Sequence, residues 1–176
     1  SGGLDNYRKF LNCLNYLKVD EALIPEEFLN ITLYTDPYLY DWKIEKGEKI
    51  AIISYKSLFL ANEIEVNEKL NLQLRKCGLS PKTFFISTLK DHIIQKRLID
   101  IFKKEDIKLI ITTTSFSASQ IKNNDLIENS TNIFTSLKIP ILQLLSSNRS
   151  RKKWLNSSIG MNSSDLLMQI IIPEFD

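Results

Sequence analysis

The sequence predicts an α/β domain: a flavodoxin-like three-layer sandwich on a parallel sheet of about four strands, with an N-terminal helix and an aromatic connector packed outside it. Two observations predict this. Short apolar runs of strand type recur at Lys49–Tyr55 (KIAIISY), Lys82–Ser87 (KTFFIS), Ile107–Thr113 (IKLIITT) and Ile139–Leu145 (IPILQLL). Segments with helical apolar spacing separate them. Alternation of this kind gives right-handed βαβ crossovers whose helices cover a buried sheet.

Before the first strand, Tyr7, Phe10, Leu11, Leu14 and Leu17 recur at helical spacing, with Asp5 placed to cap the helix. Pro25 interrupts the pattern and Asp36-Pro37 marks a turn. Tyr34, Tyr38, Tyr40 and Trp42 crowd the connector. Such a cluster either anchors an irregular segment onto a core or stacks on a flat ring. The texture changes at Lys46-Gly47, which divides the chain into a helix and connector, 1–46, and the α/β domain, 47–176.

After the first strand, Asn62 and Glu65 have capping-box spacing, Val66, Leu70 and Leu74 form a helical stripe, and Gly78 is a stop signal. Ile64, Val66, Leu70, Leu72 and Leu74 also fit alternation. Helix is preferred because the segment is long and rich in Glu, Lys, Gln and Leu. Pro81 leads into the second strand. Asp91 then caps a helix with Ile94, Leu98, Ile101 and Phe102 on its apolar face. The third strand runs into TSFSASQ, and Asn123–Asn132 reads as loop or weak helix.

Pro140 is tolerable near the start of the fourth strand. A basic segment with Trp154, a break at Gly160, and Ser163-Ser164 ahead of Asp165 as a helix start follow. The apolar run Leu166–Ile172 meets Pro173-Glu174-Phe175-Asp176, a turn expected to lead into another element. The sequence therefore reads as a piece of a longer protein.

Composition narrows the function classes. A net charge of +2 is too mild to argue for nucleic acid or anionic lipid. Cys13 and Cys77 lack CxxC partners and read as thiols of a reducing cytoplasm. No apolar run approaches the roughly 20 residues that span a bilayer. There is no GxxxxGK[ST], no GxGxxG and no GxSxG. His92 is the sole histidine, which excludes a histidine-rich metal site and leaves a surface or helix-start role.

In an open parallel sheet, ligands bind beyond the carboxyl ends of the strands. Those ends read Ser54–Ser57, Ser87–Asp91, Thr112–Ser117 and Ser146–Arg149, all rich in hydroxyls, with Lys56, Lys90 and Arg149 adding positive charge. The candidate binding residues are Lys56, Ser57, Ser87, Lys90, Ser115 and Arg149. Either this edge grips carboxylate or amide groups, or its hydroxyls simply cap helix starts. Arg149, Arg151, Lys152 and Lys153 form either a solvated helix face or a contact for an acidic partner.

Short motifs in a shared order resemble the family of the ATP-dependent cobaltochelatase large subunit and the magnesium chelatase H subunit. They are Gly2-Gly3 with Asn6, Tyr55-Lys56-Ser57, Gly78, Ser87-Thr88-Leu89-Lys90-Asp91 with one inserted Thr, and Phe116. Further on come Ile141-Leu142-Gln143, then Trp154, Gly160 and Met161, then Ser163, Asp165, Leu166 and Met168, and the turn Pro173-Glu174-Phe175-Asp176. Phe175 departs from the family's usual Leu.

The resemblance implies insertion of cobalt(II) into hydrogenobyrinic acid a,c-diamide during cobalamin synthesis. Magnesium and protoporphyrin IX are the close alternative. It also implies AAA+ partner subunits that use the ATP, no cofactor within this fragment, and the rest of its own polypeptide as a partner. The divalent metal is then a substrate. Glu174 and Asp176 become candidate catalytic carboxylates, able to take a pyrrole proton or pass a hard metal to the ring; the plainer reading is a turn that knits two parts of the fold. A different class of function, a flavodoxin-like scaffold without chemistry, stays open.

Overall fold

The computed structural model describes residues 2–17, 32–40, 46–114, 137–147 and 149–171. Its elements are α1 (Leu4–Leu17), β1 (Tyr38–Tyr40), β2 (Lys49–Tyr55), α2 (Lys56–Leu60), α3 (Glu65–Lys76), β3 (Ser80–Ile86), α4 (His92–Lys104), β4 (Leu109–Thr112), β5 (Ile141–Gln143), α5 (Arg151–Leu155) and α6 (Ser163–Leu166). A π-helical turn, Leu167–Ile171, extends α6. Readings that fall on Pro25, Trp42, Ser115, Phe116, Asn123–Asn132, Glu174 and Asp176 lie outside the described residues.

The sheet order is β1-β3-β2-β4-β5. β2 pairs in parallel with β3 and β4, and β4 with β5. In chain order, these four parallel strands stand 2-1-3-4, the start of the flavodoxin-like order 2-1-3-4-5. The fifth strand was not expected from the sequence. Tyr38–Tyr40 leaves the connector and pairs antiparallel with β3, Leu39 opposite Phe84.

Register assigns the two faces. Ile50 and Ile52 of β2 and Ile111 of β4 pack with Leu70 and Leu74 of α3. Ala51, Ile53, Phe84, Ile86 and Ile110 pack on the other face with Ile94, Leu98 and Phe102 of α4. Helices on both faces of one sheet make the three layers. β2 and β3 are buried, whereas all three residues of β5 are exposed, so not every parallel strand is a core strand.

Several local expectations need correction. The box at Asn62 and Glu65 does not form: Asn62 has φ of 61°, and α3 starts after Ile64 with no side-chain cap. Val66 is exposed, and α3 turns Asn67 and Asn71 to the sheet beside Leu70 and Leu74. Asp5 lies inside the first turn of α1 rather than ahead of it. The apolar stripe Tyr7, Phe10, Leu11 and Leu14 on α1 is exposed, not packed. The helix start expected at Ser163-Ser164 does form, and Asn162 caps it, accepting from the Asp165 N–H. Two further expectations stand. Asp91 caps α4 through Ile93 N–H, and Gly78, at φ of 77°, lets Leu79 N–H reach back to Leu74 O.

The amino edge of the sheet carries a buried charge cluster. Lys82 is only 2% exposed, and its Nζ lies 2.6 Å from Glu105 Oε2, which also takes Lys49 Nζ at 2.9 Å. Burial pushes the Lys82 pKa down, while Glu105 pulls it back up.

Candidate functional site

The parallel strands β2, β3, β4 and β5 all end at one edge, at Tyr55, Ile86, Thr112 and Gln143. β1 runs the other way, so its first residue, Tyr38, reaches that edge beside Phe85. From β2 the chain adds β3 on one side and then β4 on the other, which makes the β2/β4 gap the switch point where this fold class holds ligands.

At the switch point the polar groups satisfy one another. Asn67 Nδ2 donates to Ser54 Oγ at 2.6 Å. Ser54 Oγ lies 2.6 Å from Thr113 Oγ1, and Thr113 Oγ1 donates to Ile53 O at 3.2 Å. The only donor sense that serves every member runs Asn67 to Ser54 to Thr113 to the carbonyl. Ser54 and Asn67 are buried, so breaking this relay is costly. Beside it, Thr112 and Thr114 hydroxyls meet at 2.7 Å.

Where β1 joins β3, Asp36 is the hub. Its carboxylate accepts from Ser87 N–H at 3.1 Å and from the Ser87 hydroxyl, and lies 4.0 Å from Lys56 Nζ. Lys56 Nζ donates to Tyr34 O at 2.6 Å, and the exposed Arg97 donates to Asp36 O at 2.8 Å. Under this layer sits an aromatic cluster: Phe59 contacts Tyr34, Tyr38, Tyr40 and Phe85 at centroid distances from 4.6 to 5.7 Å. The connector aromatics therefore anchor β1 to the core. Gly3 packs against them, because a Cβ there would stand 2.7 Å from the Tyr34 ring. Burial raises the Tyr34 pKa, with lesser contributions from Asp5 and Tyr38, so its phenol stays neutral.

Past β5 lies a second cluster. Asp165, 2% exposed, accepts from Ser147 Oγ at 2.6 Å and Asn162 Nδ2 at 2.9 Å, tying the β5 end to α6. Arg149 Nη1 reaches Ser157 Oγ at 3.3 Å, and Arg149 N–H reaches Ser147 Oγ at 3.2 Å.

Among the candidates, Lys56 and Ser87 thus come together on Asp36. Arg149 belongs to the separate Asp165 cluster. Ser57 is exposed on α2, and Lys90 is half-buried in the loop before α4, its N–H on Thr88 Oγ1 at 3.1 Å. Ser115, Glu174 and Asp176 lie outside the described residues. Sequence reasoning left out Asp36, Asn67 and Asp165. The sequence marks Asp36 as a turn residue, and Asp165 as a helix start and part of the shared motif order. The signal for Asn67 was its repeat at Asn71, one helical turn on, beside Leu70 and Leu74. Among the described residues, no group of three His, Cys, Asp or Glu could hold a metal ion. No described helix is long and apolar enough to cross a membrane.

A 2-1-3-4 run of parallel strands, helices on both faces and a hydroxyl-lined carboxyl edge define a flavodoxin-like α/β domain. The family model described as CobN/Magnesium Chelatase matches residues 1–176, and the chain belongs to that family.

Its relatives include an uncharacterised protein of Methanocaldococcus jannaschii, 30% identical over 135 residues, which span 72% of this chain and 11% of the relative. The aerobic cobaltochelatase subunit CobN of Pseudomonas aeruginosa is 24% identical over 185 residues, covering 99% of this chain and 14% of that protein. The catalytic subunit of cobaltochelatase from Mycobacterium tuberculosis has the same fold, with a TM-score of 0.71 at 21% identity over 99% of this chain and 15% of that one. The chain thus spans only 11 to 15% of the length of these relatives.

Proposed function

We propose that the chain is part of the tetrapyrrole-binding large subunit of an ATP-dependent cobaltochelatase. The subunit inserts cobalt(II) into hydrogenobyrinic acid a,c-diamide, and separate AAA+ subunits hydrolyse the ATP. The observation that carries this reading is the family match over all 176 residues, together with a CobN relative aligned over 99% of the chain. In this reading Lys56, Ser57, Ser87, Lys90, Ser115 and Arg149 hold the polar groups at the ring's rim. Glu174 and Asp176 serve the inner nitrogens, taking a proton as the metal enters. The metal is a substrate delivered to the ring. The same family description leaves magnesium and protoporphyrin IX as the alternative pair.

A second reading has its own support. Lys56 is engaged by Tyr34 O and Asp36, and Arg149 by Ser157, so two proposed cations already have partners within the fold. This favours a scaffold role for these residues. Titrating the chain with metal-free hydrogenobyrinic acid a,c-diamide, and separately with protoporphyrin IX, decides between the readings. Absorbance and tryptophan quenching report binding, because Trp154 is 47% exposed. Saturable binding of the diamide, weakened by Lys90→Ala, supports the first reading. Tighter binding of protoporphyrin IX supports the magnesium branch, and no binding of either supports the scaffold. The chain alone is expected to metallate neither ring.

A further inference from the structure

Among the described residues, the outer edge of β5 is open. Ile110 N–H donates to Pro140 O at 3.0 Å, and Leu144 N–H donates to Thr112 O at 2.8 Å. Even-numbered residues of this segment therefore face β4. By alternation, the main-chain groups of Ile141 and Gln143 point away from the sheet. Among the described residues, no strand pairs with them. Pro140 does not blunt this side, since its carbonyl faces β4.

Both faces of β5 are also partly exposed. Ile141, on the α4 face, is 40% exposed, and Leu142, on the α3 face, is 51% exposed. The other edge strand, β1, is by contrast half-buried against an aromatic cluster. Exposed sheet edges are normally protected by charge, proline or a bulge. β5 reads Ile-Leu-Gln and has none of these.

Two further observations say what covers it. The parallel strands stand 2-1-3-4, and the vacant next place in that order is beside β5. After β5 the chain continues through α5 and α6, and Ser147 and Asp165 tie the strand end to α6. A right-handed crossover delivers its strand alongside the one it left. In the solved relative, this fold occupies 15% of the chain.

We infer that the β5 edge is a strand-docking site, filled by a parallel strand from the part of the longer polypeptide that follows α6. That strand takes the outward main-chain groups of Ile141 and Gln143, and its flanking apolar side chains cover Ile141 and Leu142. The inference rests on the family assignment, not on the tetrapyrrole reading, so failed ring binding leaves it intact.

Residue-resolved amide exchange tests it, comparing the 176-residue chain with the full-length protein of its gene. In the shorter chain, Leu142 and Leu144 amides are expected to be protected, and those of Ile141 and Gln143 open. In the full-length protein, Ile141 and Gln143 are expected to slow by about 100-fold or more. Gln143→Pro removes an outward N–H while leaving the ladder to β4 in place. It is expected to cancel the added protection at Ile141 while leaving Leu142 and Leu144 protected.

Equal exchange of Ile141 and Gln143 in both proteins overturns the proposal. So does protection already present in the shorter chain when sedimentation shows a dimer, because the occupant is then a second copy. The wild-type comparison stands even if the proline variant does not fold.

Discussion

Replacing Glu105 by Gln exposes the weakest point of the amino edge. Lys82 Nζ, on a side chain 2% exposed, has Glu105 as its anionic partner at 2.6 Å, and the 39% exposed Lys49 shares that carboxylate. Losing one partner of a buried pair costs about 3–5 kcal/mol. Glu105 is 22% exposed, so water screens part of that interaction and the expected loss is about 2 kcal/mol. Deprotonating Lys82 at pH 7 sets a ceiling of about 4–5 kcal/mol.

A loss of about 2 kcal/mol corresponds to a melting temperature lowered by roughly 4–8 °C in a domain of this size. Adding Lys82→Met removes the buried charge, so the double variant should be more stable than Glu105→Gln alone. Urea unfolding of the wild type, both single variants and the double variant measures the coupling. If the two single losses simply add, the pair does not interact as described.

The pH dependence has a definite sign. Lys82 and then Lys49, through their hydrogen bonds, hold the Glu105 carboxyl below its ordinary pKa of 4.5. Its stabilisation is complete above 4.5 and is lost as pH falls through the lower folded value. The wild type should therefore lose stability below that pH more steeply than Glu105→Gln.

Two further outcomes follow from the other edge. Ser54→Ala leaves the buried Asn67 amide without its acceptor and should cost about 1–3 kcal/mol, while Ser54→Ala with Asn67→Leu should recover much of it; both are read from urea midpoints. Phe59→Ala removes the ring shared by Tyr34, Tyr38, Tyr40 and Phe85, with an expected loss of about 2–3 kcal/mol for this half-buried position and faster amide exchange in β1 than in β2.

The four parallel strands and α4 were legible because one signal controls each. An apolar run set KIAIISY as Lys49–Tyr55 without error, and Asp91 capped where its side chain could reach Ile93 N–H. β1 was illegible because three residues, Tyr-Leu-Tyr, carry no periodicity. Pairing with β3 and packing on Phe59 make them a strand. The face of α3 was misread for a related reason. Hydrophobicity selects Val66, but the positions that meet Ser54 and Thr83 on the sheet want amides, and Asn67 and Asn71 supply them.

The same cause hid the hubs of the candidate site. Asp36 meets Ser87 across 51 positions, and Asp165 meets Ser147 across 18, distances over which no local pattern operates. Asp36 holds Ser87, a candidate binding residue, and Asp165 holds Ser147. Part of the polar edge is thus built to hold β1, β3, β5 and α6 in place, and a ring bound there must use the groups this framework leaves facing outward. Ser57 is exposed, whereas the carboxylate of Asp36 already occupies Ser87. Variants at Ser57 should therefore change ring affinity with little effect on stability, whereas Ser87→Ala should change stability first.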